Sequence, residues 1–494
     1  MKTLRWFRNI AVLFILAMGL LSSRSGVGVA AVAQYLGPVV EISRPNIVGT
    51  CNTGFNPFGY TYSTDHATEP FVATSPINPR NVAAAWFQGV FQDMTAGVSF
   101  DGGQTWQQDP IPLTTCSGGL SPGTGDPWLS FAPNGDLYAV AIVWNSSSWT
   151  DRQIVVSKSA DGGLHWSAPV VLPGSGVLDP PADHPSITAD PANPQFVYAI
   201  WNGNSSKHSS AAVFTRTTDG GIAWETARAI VQTASQSFIQ FSQIFMLPNG
   251  TLADVFEFYA EQPNKPITFT NLQVMRSTDH GQTWSAPING VTMTPLYLPN
   301  GNTQVVDPET GQFVLDLTNP SFAVDSQSGN LYAVWEDGRF SNFQYNDIAL
   351  SMSADGGLTW SAPIRVNQTP LNIPSLDRQA FFPSIAATAN GTIGVSYYDF
   401  RFNNPNPGLP TDRWLVQCSP SSNNPASNPC CWGNEVRLTD TSFNVEAVVP
   451  RAPNGDIFLG DYFGMAAAGN GFVSVFTAVD SQNITSIFAR QVGP

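Results

Sequence analysis

Ser353-Ala-Asp355-Gly-Gly-Leu-Thr-Trp360 is one of five copies of a short phrase, Ser/Thr-x-Asp-x-Gly-x-x-Trp, and these copies decide the fold. The other copies are Ser99–Trp106, Ser159–Trp166, Thr217–Trp224 and Ser277–Trp284. Successive Asp positions are 60, 58, 60 and 76 residues apart. Each copy lies between two β-rich runs, so its Asp and Gly predict a hairpin turn and its Trp opens the next strand. A repeat of this length is typical of a radial array of β-sheets.

A second pattern precedes each copy and predicts that one unit contains four strands. It consists of one residue, usually followed by Pro, and then an apolar strand. The instances are Glu69-Pro70, Asp126-Pro127, His184-Pro185, Asn319-Pro320 and Phe382-Pro383, whereas the run at Gln243–Met246 has lost its Pro. Each unit therefore reads strand, turn, strand, loop, strand, repeated phrase, strand.

Two further units, at residues 382–440 and 462–490, keep this frame without the phrase. The last unit has only three strands, and we expect residues 38–42 to supply the fourth and close a ring. The prediction is an all-β propeller with seven four-stranded blades, and six if the first or last unit is peripheral. The wider fourth step indicates an extra loop over one face, at about residues 290–317.

The repeated phrase resembles the Asp-box of the sialidase-like propellers, which carry bacterial neuraminidase repeats. The resemblance implies a β-propeller over nearly the whole mature chain, and we expect one domain at residues 34–494. It does not make the five carboxylates catalytic, because five equivalent copies cannot all form one active site. We expect structural roles for Asp101, Asp161, Asp219, Asp279 and Asp355.

The first residues are typical of an export signal. A basic start (Lys2, Arg5, Arg8) precedes an apolar run at 10–21 and a small-residue cleavage pattern at Ala31-Val-Ala33. We expect cleavage after residue 33 and a secreted protein with no membrane contact; the alternative is an uncleaved anchor. Cleavage would remove four positive charges and change the net charge from −15 to −19. So acidic a chain repels phosphate backbones, which excludes nucleic acid as an expected partner.

The chain has five Cys residues, all of them after the predicted signal. In an exported protein we expect a disulfide between Cys51 and Cys116, and a second between Cys418 and either Cys430 or Cys431. The second would staple the hairpin that lacks the repeated phrase. Zinc is the sharper interpretation of Cys430-Cys431, but no second Cys-x-x-Cys or neighbouring His accompanies them. We predict no metal site or cofactor, since Ca²⁺ would find oxygen ligands here but no dedicated loop.

Chemistry is expected on the face opposite the repeated phrases, because several units converge there at the mouth of a central channel. Only 12% of the residues are charged, yet charged residues are frequent at two positions of each unit on this face. The starts of first strands contribute Glu69, Asp126, Asp183, His184, Arg378, Asp461 and Tyr462, and the ends of second strands contribute Glu257, Asp337, Arg339, Asp399 and Arg401. These groups suit acid–base work on a sugar and recognition of an anionic ligand. The competing interpretation is that Asp–Arg pairs stabilise loops.

The resemblance to sialidases implies roles for some of these residues. Trp335-Glu-Asp337-Gly-Arg339 is similar to the sialidase stretch that carries the acid/base Asp, and Tyr397-Tyr-Asp399-Phe-Arg401 repeats it. Tyr462 stands where the nucleophile is expected, with Glu257 as its partner. The remaining predicted substrate-binding residues are Arg339, Arg378, Arg401, Asp126 and His184.

The sequence also departs from the sialidase pattern. The Phe/Tyr-Arg-Ile-Pro motif is missing, and the Asp-x-Arg stretches lie in the fifth and sixth units instead of the first. We therefore expect a monomeric propeller that acts on extracellular carbohydrate, a glycoside hydrolase with Asp337 and Asp399 as its preferred carboxylate pair and sialidase activity as one narrower form. The alternative is a non-catalytic propeller that binds carbohydrate or protein.

Overall fold

The computed structural model describes residues 35–45, 47–146, 148, 150–176, 182–205, 209–260, 270–296, 305–315, 319–418 and 431–493. The predicted signal at 1–33 and Cys430 lie outside these residues. Regular structure in the described ranges is nearly all strand, with short 3-10 helices at Gly338–Ser341, Ser375–Arg378 and Val445–Ala447. In the described part, no helix is long and apolar enough to cross a bilayer. The prediction of an all-β propeller is confirmed.

Most strands form antiparallel units of four, in which strands that follow one another in the chain pair as neighbours. The chain opens with β1 (Leu36–Glu41). Unit 1 contains β2 (Ala67–Thr74), β3 (Val82–Gln88), β4 (Asp93–Ser99) and β5 (Gln107–Pro110). Unit 2 contains β6 (Gly123–Phe131), β7 (Leu137–Trp144), β8 (Arg152–Ser159) and β9 (Val170–Val171).

The next units repeat this order. Unit 3 contains β10 (Ala182–Ala189), β11 (Val197–Ser205), β12 (Ser209–Thr217) and β13 (Arg228–Gln232). Unit 4 contains β14 (Ser237–Met246), β15 (Leu252–Ala260), β16 (Thr270–Ser277) and β17 (Ile288–Met293). A parallel bridge between Ser209 and Ser237 joins the two units. After the short strands β18 (Val305–Val306) and β19 (Phe313–Leu315), unit 5 contains β20 (Ser321–Val324), β21 (Leu331–Asp337), β22 (Asp347–Ser353) and β23 (Ile364–Arg365).

Unit 6 contains β24 (Ala380–Ala387), β25 (Ile393–Asp399), β26 (Pro410–Cys418) and β27 (Trp432–Arg437), and β28 (Phe443–Asn444) pairs with β26. Then β29 (Ile457–Phe458) forms a small sheet with β18 and β19. Unit 7 contains β30 (Gly464–Ala468), β31 (Gly471–Val479) and β32 (Thr485–Val492). Its fourth strand is β1, which pairs with β32, so the strand just after the predicted signal completes the last unit as the sequence predicts.

The first strands of successive described units contact one another in sequence, and β30 of unit 7 contacts β2 of unit 1. Side-chain hydroxyls fasten several of these contacts. Ser186 Oγ donates to the Ser242 carbonyl at 2.8 Å, Ser384 Oγ donates to the Phe463 carbonyl at 2.7 Å, and Thr74 Oγ1 donates to the Ala467 carbonyl at 2.5 Å. These hydroxyl groups therefore join neighbouring units.

The repeated phrase builds its turn in the same way in every copy, as the first one shows. Ser99 Oγ donates to Asp101 Oδ1 at 2.7 Å and accepts from the Gly103 N–H at 2.8 Å. The same Asp101 oxygen accepts the Thr105 N–H at 2.9 Å, while Thr105 Oγ1 donates to Asp101 Oδ2 at 2.6 Å. The Ser/Thr–Asp bond and the bond from the residue four after Ser/Thr recur in the other copies. Five carboxylates are thus engaged in holding turns.

Each Trp that ends a phrase packs between its own unit and the one before. Trp106 lies with residues of units 7 and 1, Trp166 with units 1 and 2, and Trp224 with units 2 and 3. Trp284 and Trp360 repeat the arrangement for the next two boundaries. The phrase therefore combines a polar turn with a large apolar face that joins neighbouring sheets.

Two disulfides lie in the described residues, Cys51–Cys116 and Cys418–Cys431. The second joins the end of β26 to the start of β27, which is the position of the repeated phrase in units 1 to 5. Cys431 is thus the partner of Cys418, one of the two partners that the sequence left open.

Asp101→Asn should lower the melting temperature more at pH 5 than at pH 2.5. Burial tends to raise the pKa of Asp101, but hydrogen bonds from Thr105 and Ser99 outweigh it and hold the pKa at about 2. A carboxyl whose pKa is depressed on folding stabilises the fold above its unfolded pKa of about 3.9, and this stabilisation is lost as the pH falls toward 2. Thermal unfolding of both proteins across this range measures the difference.

The control for this experiment is Asp109→Asn, on the exposed outer strand of the same unit. It should lack the pH-dependent loss, because burial raises the pKa of Asp109 against the charge of His165, a shift opposite to that of Asp101. A constant difference between Asp101→Asn and wild type from pH 5 to 2.5 would contradict the role given to the carboxylate.

Titration of unreduced, denatured protein with a thiol reagent should give one thiol per chain, since two disulfides use four of the five Cys residues. After reduction the same assay should give five. Five thiols before reduction would show that neither bond forms, and three would show that one is absent.

Candidate functional site

The described first strands surround a cavity of about 350 Å³. All seven units contribute to its wall, through Phe71, Trp128, His184, Phe241, Asn319, Phe382 and Tyr462, among others. Most other lining side chains are apolar or small. A concave site with an apolar wall and a few polar groups at one end is the usual form of a small-molecule site. The polar lining residues His184, Asn319 and Asp461 stand at or just before the starts of first strands, at the channel mouth.

A backbone irregularity recurs where the first strands begin. Glu69, Asp126, His184, Phe241 and Phe382 all have left-handed backbone angles, with φ between 46° and 56°. In each unit concerned the pairing between first and second strand shifts register at this point, as in a β-bulge. Side chains other than Gly rarely adopt such angles, and their recurrence marks a site held in place by its surroundings. The bulge sets one side chain of each strand at the same level.

Carboxyl groups from four units meet at this level. Glu69 Oε1 accepts the backbone N–H of Asp461 at 3.0 Å, which links units 1 and 7. Asp126 Oδ2 accepts the backbone N–H of His184 at 3.0 Å, which links units 2 and 3. The His184 ring faces Asp461, with Nε2 3.9 Å from Oδ2. We call Glu69, Asp126, Asp183, His184 and Asp461 the mouth cluster.

Burial perturbs the titration of the mouth cluster. Burial raises the pKa of Glu69 well above its usual range, and the carboxylates of Asp461 and Asp126 raise it further. Burial likewise raises the pKa of Asp126 to about 7, although His184 opposes this shift. For His184 burial lowers the pKa, but Asp183 and Asp461 outweigh it and the result is about 9. The cluster therefore holds exchangeable protons near neutral pH, as acid–base sites do.

The mouth has one Arg close by, which sequence reasoning missed. Arg152 begins β8, and its Nη1 lies 3.0 Å from Asp183 Oδ1. Its side chain is only 3% exposed, whereas that of Asp183 is 23% exposed. Nothing in the local sequence of Arg152 signals this contact, because the two residues belong to different units.

Aromatic rings form one wall of the cavity. Phe71 and Trp128 stack with their centroids 3.9 Å apart, and Tyr462 meets Trp128 edge to face at 6.0 Å. The buried Tyr462 hydroxyl has no hydrogen-bond partner among the described residues. Burial and the nearby carboxyls, with Asp126 first among them, raise the pKa of Tyr462 well above its usual value. Trp128 was also missed, although it directly follows the Asp126-Pro127 pair that sequence reasoning singled out.

Glu257 does not line the cavity. It is 2% exposed on β15, where burial raises its pKa to about 7 against a hydrogen bond from Thr270 and the charge of His184. Glu257 pairs across the sheet with Gln240, the neighbour of Phe241, whose ring packs on His184. The structure gives no contact between Glu257 and Tyr462, the partner that the resemblance implied.

Asp337 and Arg339 form a closed pair away from the cavity lining. Asp337 is fully buried and accepts from Trp335 Nε1 at 2.6 Å, Arg339 Nε at 2.7 Å and Thr294 Oγ1 at 2.8 Å. A carboxylate with these donors is fully occupied. This arrangement favours the loop-stabilising interpretation over the catalytic one.

Asp399 and Arg401 repeat the pair in the next unit. Arg401 lies 2.7 Å from Asp399 Oδ2 and 2.6 Å from Glu435 Oε2, and its guanidinium stacks 3.7 Å from the centre of the Trp414 ring. Arg378 bonds to a different group, since its Nε donates to the Ile373 carbonyl at 2.7 Å. The described cavity lining contains neither of the predicted carboxylates nor any of the three predicted arginines. The expected convergence of these residues is therefore not what the structure shows.

The variants Asp399→Ala and Asp337→Ala should be strongly destabilised. Removing either carboxylate leaves buried donors, Trp335 Nε1 at Asp337 and Thr369 Oγ1 at Asp399, without their acceptor, and each such loss costs about 1–3 kcal/mol. Chemical denaturation measures this loss, and Asp109→Ala, on the exposed surface, should stay within about 0.5 kcal/mol of wild type. Wild-type stability in either buried variant would contradict a structural role.

The profile of the BNR repeat-like domain matches residues 82–395. No curated protein matches the chain. Among solved structures, a protein of unknown function from Dyadobacter fermentans is 14% identical to this chain, with a TM-score of 0.46. The match covers 93% of this chain and 99% of that protein.

Two enzymes are similar at the same level. The Hadza microbial sialidase Hz136 shares 14% identity over 83% of this chain and 74% of its own, with a TM-score of 0.48. The GH93 α-L-arabinofuranosidase of Fusarium graminearum, in complex with arabinobiose, shares 13% identity over 93% and 98%, with a TM-score of 0.46. The profile match spans more than half of the chain. The chain belongs to the BNR repeat-like domain family.

Proposed function

We propose that this protein is a glycoside hydrolase that acts on extracellular carbohydrate at the mouth of the central cavity. One observation carries the proposal. Asp461 and Tyr462 open the last unit, both line the cavity, and the Tyr462 hydroxyl lies among carboxyl groups with no hydrogen-bond partner in the described residues. A hydroxyl group without such a partner does not hold the fold together through a hydrogen bond, so it is available to contact a bound ligand.

The chemistry assigns a role to each residue. Tyr462 would attack the anomeric carbon, as tyrosine does in sialidases. Because its phenol is neutral at ordinary pH, a neighbouring carboxylate must accept its proton, and Asp126, whose pKa is about 7, is the candidate. Asp461 would protonate the leaving oxygen and then activate water. Trp128 offers an apolar face on which a sugar ring stacks.

The charges at the site favour an uncharged sugar over sialic acid. A sialoside brings a carboxylate, which needs cationic partners. The described cavity lining has no Arg or Lys, and the nearby Arg152 is already paired with Asp183. Four carboxyl groups at the mouth would repel an anionic substrate. The predicted arginine grip therefore has no support at this site.

Export is part of the proposal. Two disulfides are typical of an oxidising compartment, and the described residues contain no membrane-spanning helix. These findings are compatible with an extracellular protein. The signal at 1–33, the single domain at 34–494 and the monomeric state remain predictions from the sequence.

A panel of chromogenic glycosides, with sialosides included, tests the activity. Tyr462→Phe and Asp461→Asn should each lower kcat/KM by about 100-fold or more, since positioned acid–base and nucleophilic groups contribute about 10²–10⁴-fold. Asp109→Asn, on the exposed outer strand of unit 1, is the matched control and should keep wild-type turnover.

Turnover unaffected by both changes would reject this site. Absence of turnover across the panel, with sugar binding that depends on Tyr462, would favour the non-catalytic binding propeller. Preferential turnover of sialosides would contradict the substrate class.

A further inference from the structure

Acidic groups outnumber basic ones at the channel mouth. The mouth cluster contains four carboxyl groups, and the basic groups that the structure places against them are Arg152 and His184. Glu69 is 1% exposed and Asp126 is 9% exposed, so water screens these charges poorly. Uncompensated charge in such a place is costly, and a bound cation would relieve it.

Three side chains bring ligand atoms to one point. Asp126, Asp183 and His184 each offer an atom, and these atoms all lie within 4.8 Å of one another. Ligands at about 2.3–2.6 Å from a divalent cation are separated by no more than about 5 Å. The three atoms can therefore surround a single ion of this size with small side-chain adjustments.

The imidazole of His184 gives the independent evidence. Its side chain is 9% exposed, and Nδ1 is buried with no hydrogen-bond partner in the described residues. Nδ1 faces Asp183, 3.8 Å from Oδ2, which is beyond hydrogen-bond distance. Buried ring nitrogens nearly always have a partner, and a metal ion that displaces the ring proton would supply one for Nδ1.

The surroundings hold these ligands in orientation. Asp461 lies on the other side of the imidazole, with Oδ2 3.9 Å from Nε2, so its carboxylate faces the second ring nitrogen. Phe241 packs on the ring at 4.4 Å between centroids, and Arg152 holds Oδ1 of Asp183 at 3.0 Å. The second oxygen of Asp183 is thereby turned toward His184.

We propose that Asp126, Asp183 and His184 bind one divalent metal ion at the channel mouth. Two carboxylates balance the charge of the ion, and the mixture of oxygen ligands with one imidazole suits Mn²⁺ best among common ions, with Ca²⁺ and Zn²⁺ as the neighbouring choices. The sequence predicted no metal site because its ligands come from two units and no single loop carries their spacing. The inference goes beyond the proposed hydrolysis and does not depend on it.

Isothermal titration of chelator-treated protein with Mn²⁺, Ca²⁺ and Zn²⁺ in separate experiments tests the site. We expect one ion per chain for at least one metal. Asp183→Asn and His184→Asn should each weaken its binding by at least tenfold, and Asn is chosen at position 184 because it tolerates the left-handed backbone there. Asp109→Asn is the control and should bind as wild type.

A measurement on the wild-type protein tests the site even if a variant fails to fold. Pulsed electron paramagnetic resonance of bound Mn²⁺ should show coupling to one imidazole nitrogen. Absence of binding by all three ions at millimolar concentration, binding without nitrogen coupling, or unchanged binding in folded His184→Asn would each overturn the proposal. Because no substrate is present, these outcomes are independent of whether the protein hydrolyses glycosides.

Discussion

The closing of the series of sheets on itself is the constraint on which the rest of this structure depends. β1 pairs with β32, and the first strand of unit 7 contacts the first strand of unit 1. Each first strand therefore has a neighbour on both sides and one end at a shared mouth. Polar side chains at that end cannot all reach water, and some of them, such as Glu69 and Asp126, pair across unit boundaries. The mouth cluster is the result.

This constraint separates two kinds of carboxylate that look alike in the sequence. Asp337 and Asp399 each find an Arg two residues later in the chain, so their pairing is local and complete. Glu69 instead meets the backbone of Asp461, 392 residues away, and keeps an oxygen without a partner in the described residues. Local pairing stabilises a loop, whereas pairing across the ring leaves polar atoms that a ligand can use. The high local charge of the Asp-x-Arg stretches therefore comes from an Asp and an Arg that bond to each other.

Predictability from the sequence follows the range of the interactions. The turn at Asp101 depends on residues within four positions, so its pattern is visible in the chain. Glu69, Asp126 and His184 each precede a Pro at the start of a first strand, so the repeating frame alone predicts that they lie at one mouth. Arg152 was not predicted there, because its partner lies 31 residues away in the next unit. Trp128 and Asn319 were also missed as cavity residues, since which side of a strand faces the channel depends on the register of the bulge.

The sequence by itself determined the four-stranded unit, the role of the repeated phrase, the closing strand and the first disulfide. Each of these follows from hydrogen bonds within a turn, from alternation along a strand, or from spacing that repeats along the chain. The tertiary structure decided which charged groups share an environment. Burial and electrostatics depend on distances between units, and those distances exist only once the ring is closed. For this reason the candidate site consists of the mouth cluster and Tyr462, and the Asp337–Arg339 and Asp399–Arg401 pairs are not part of it.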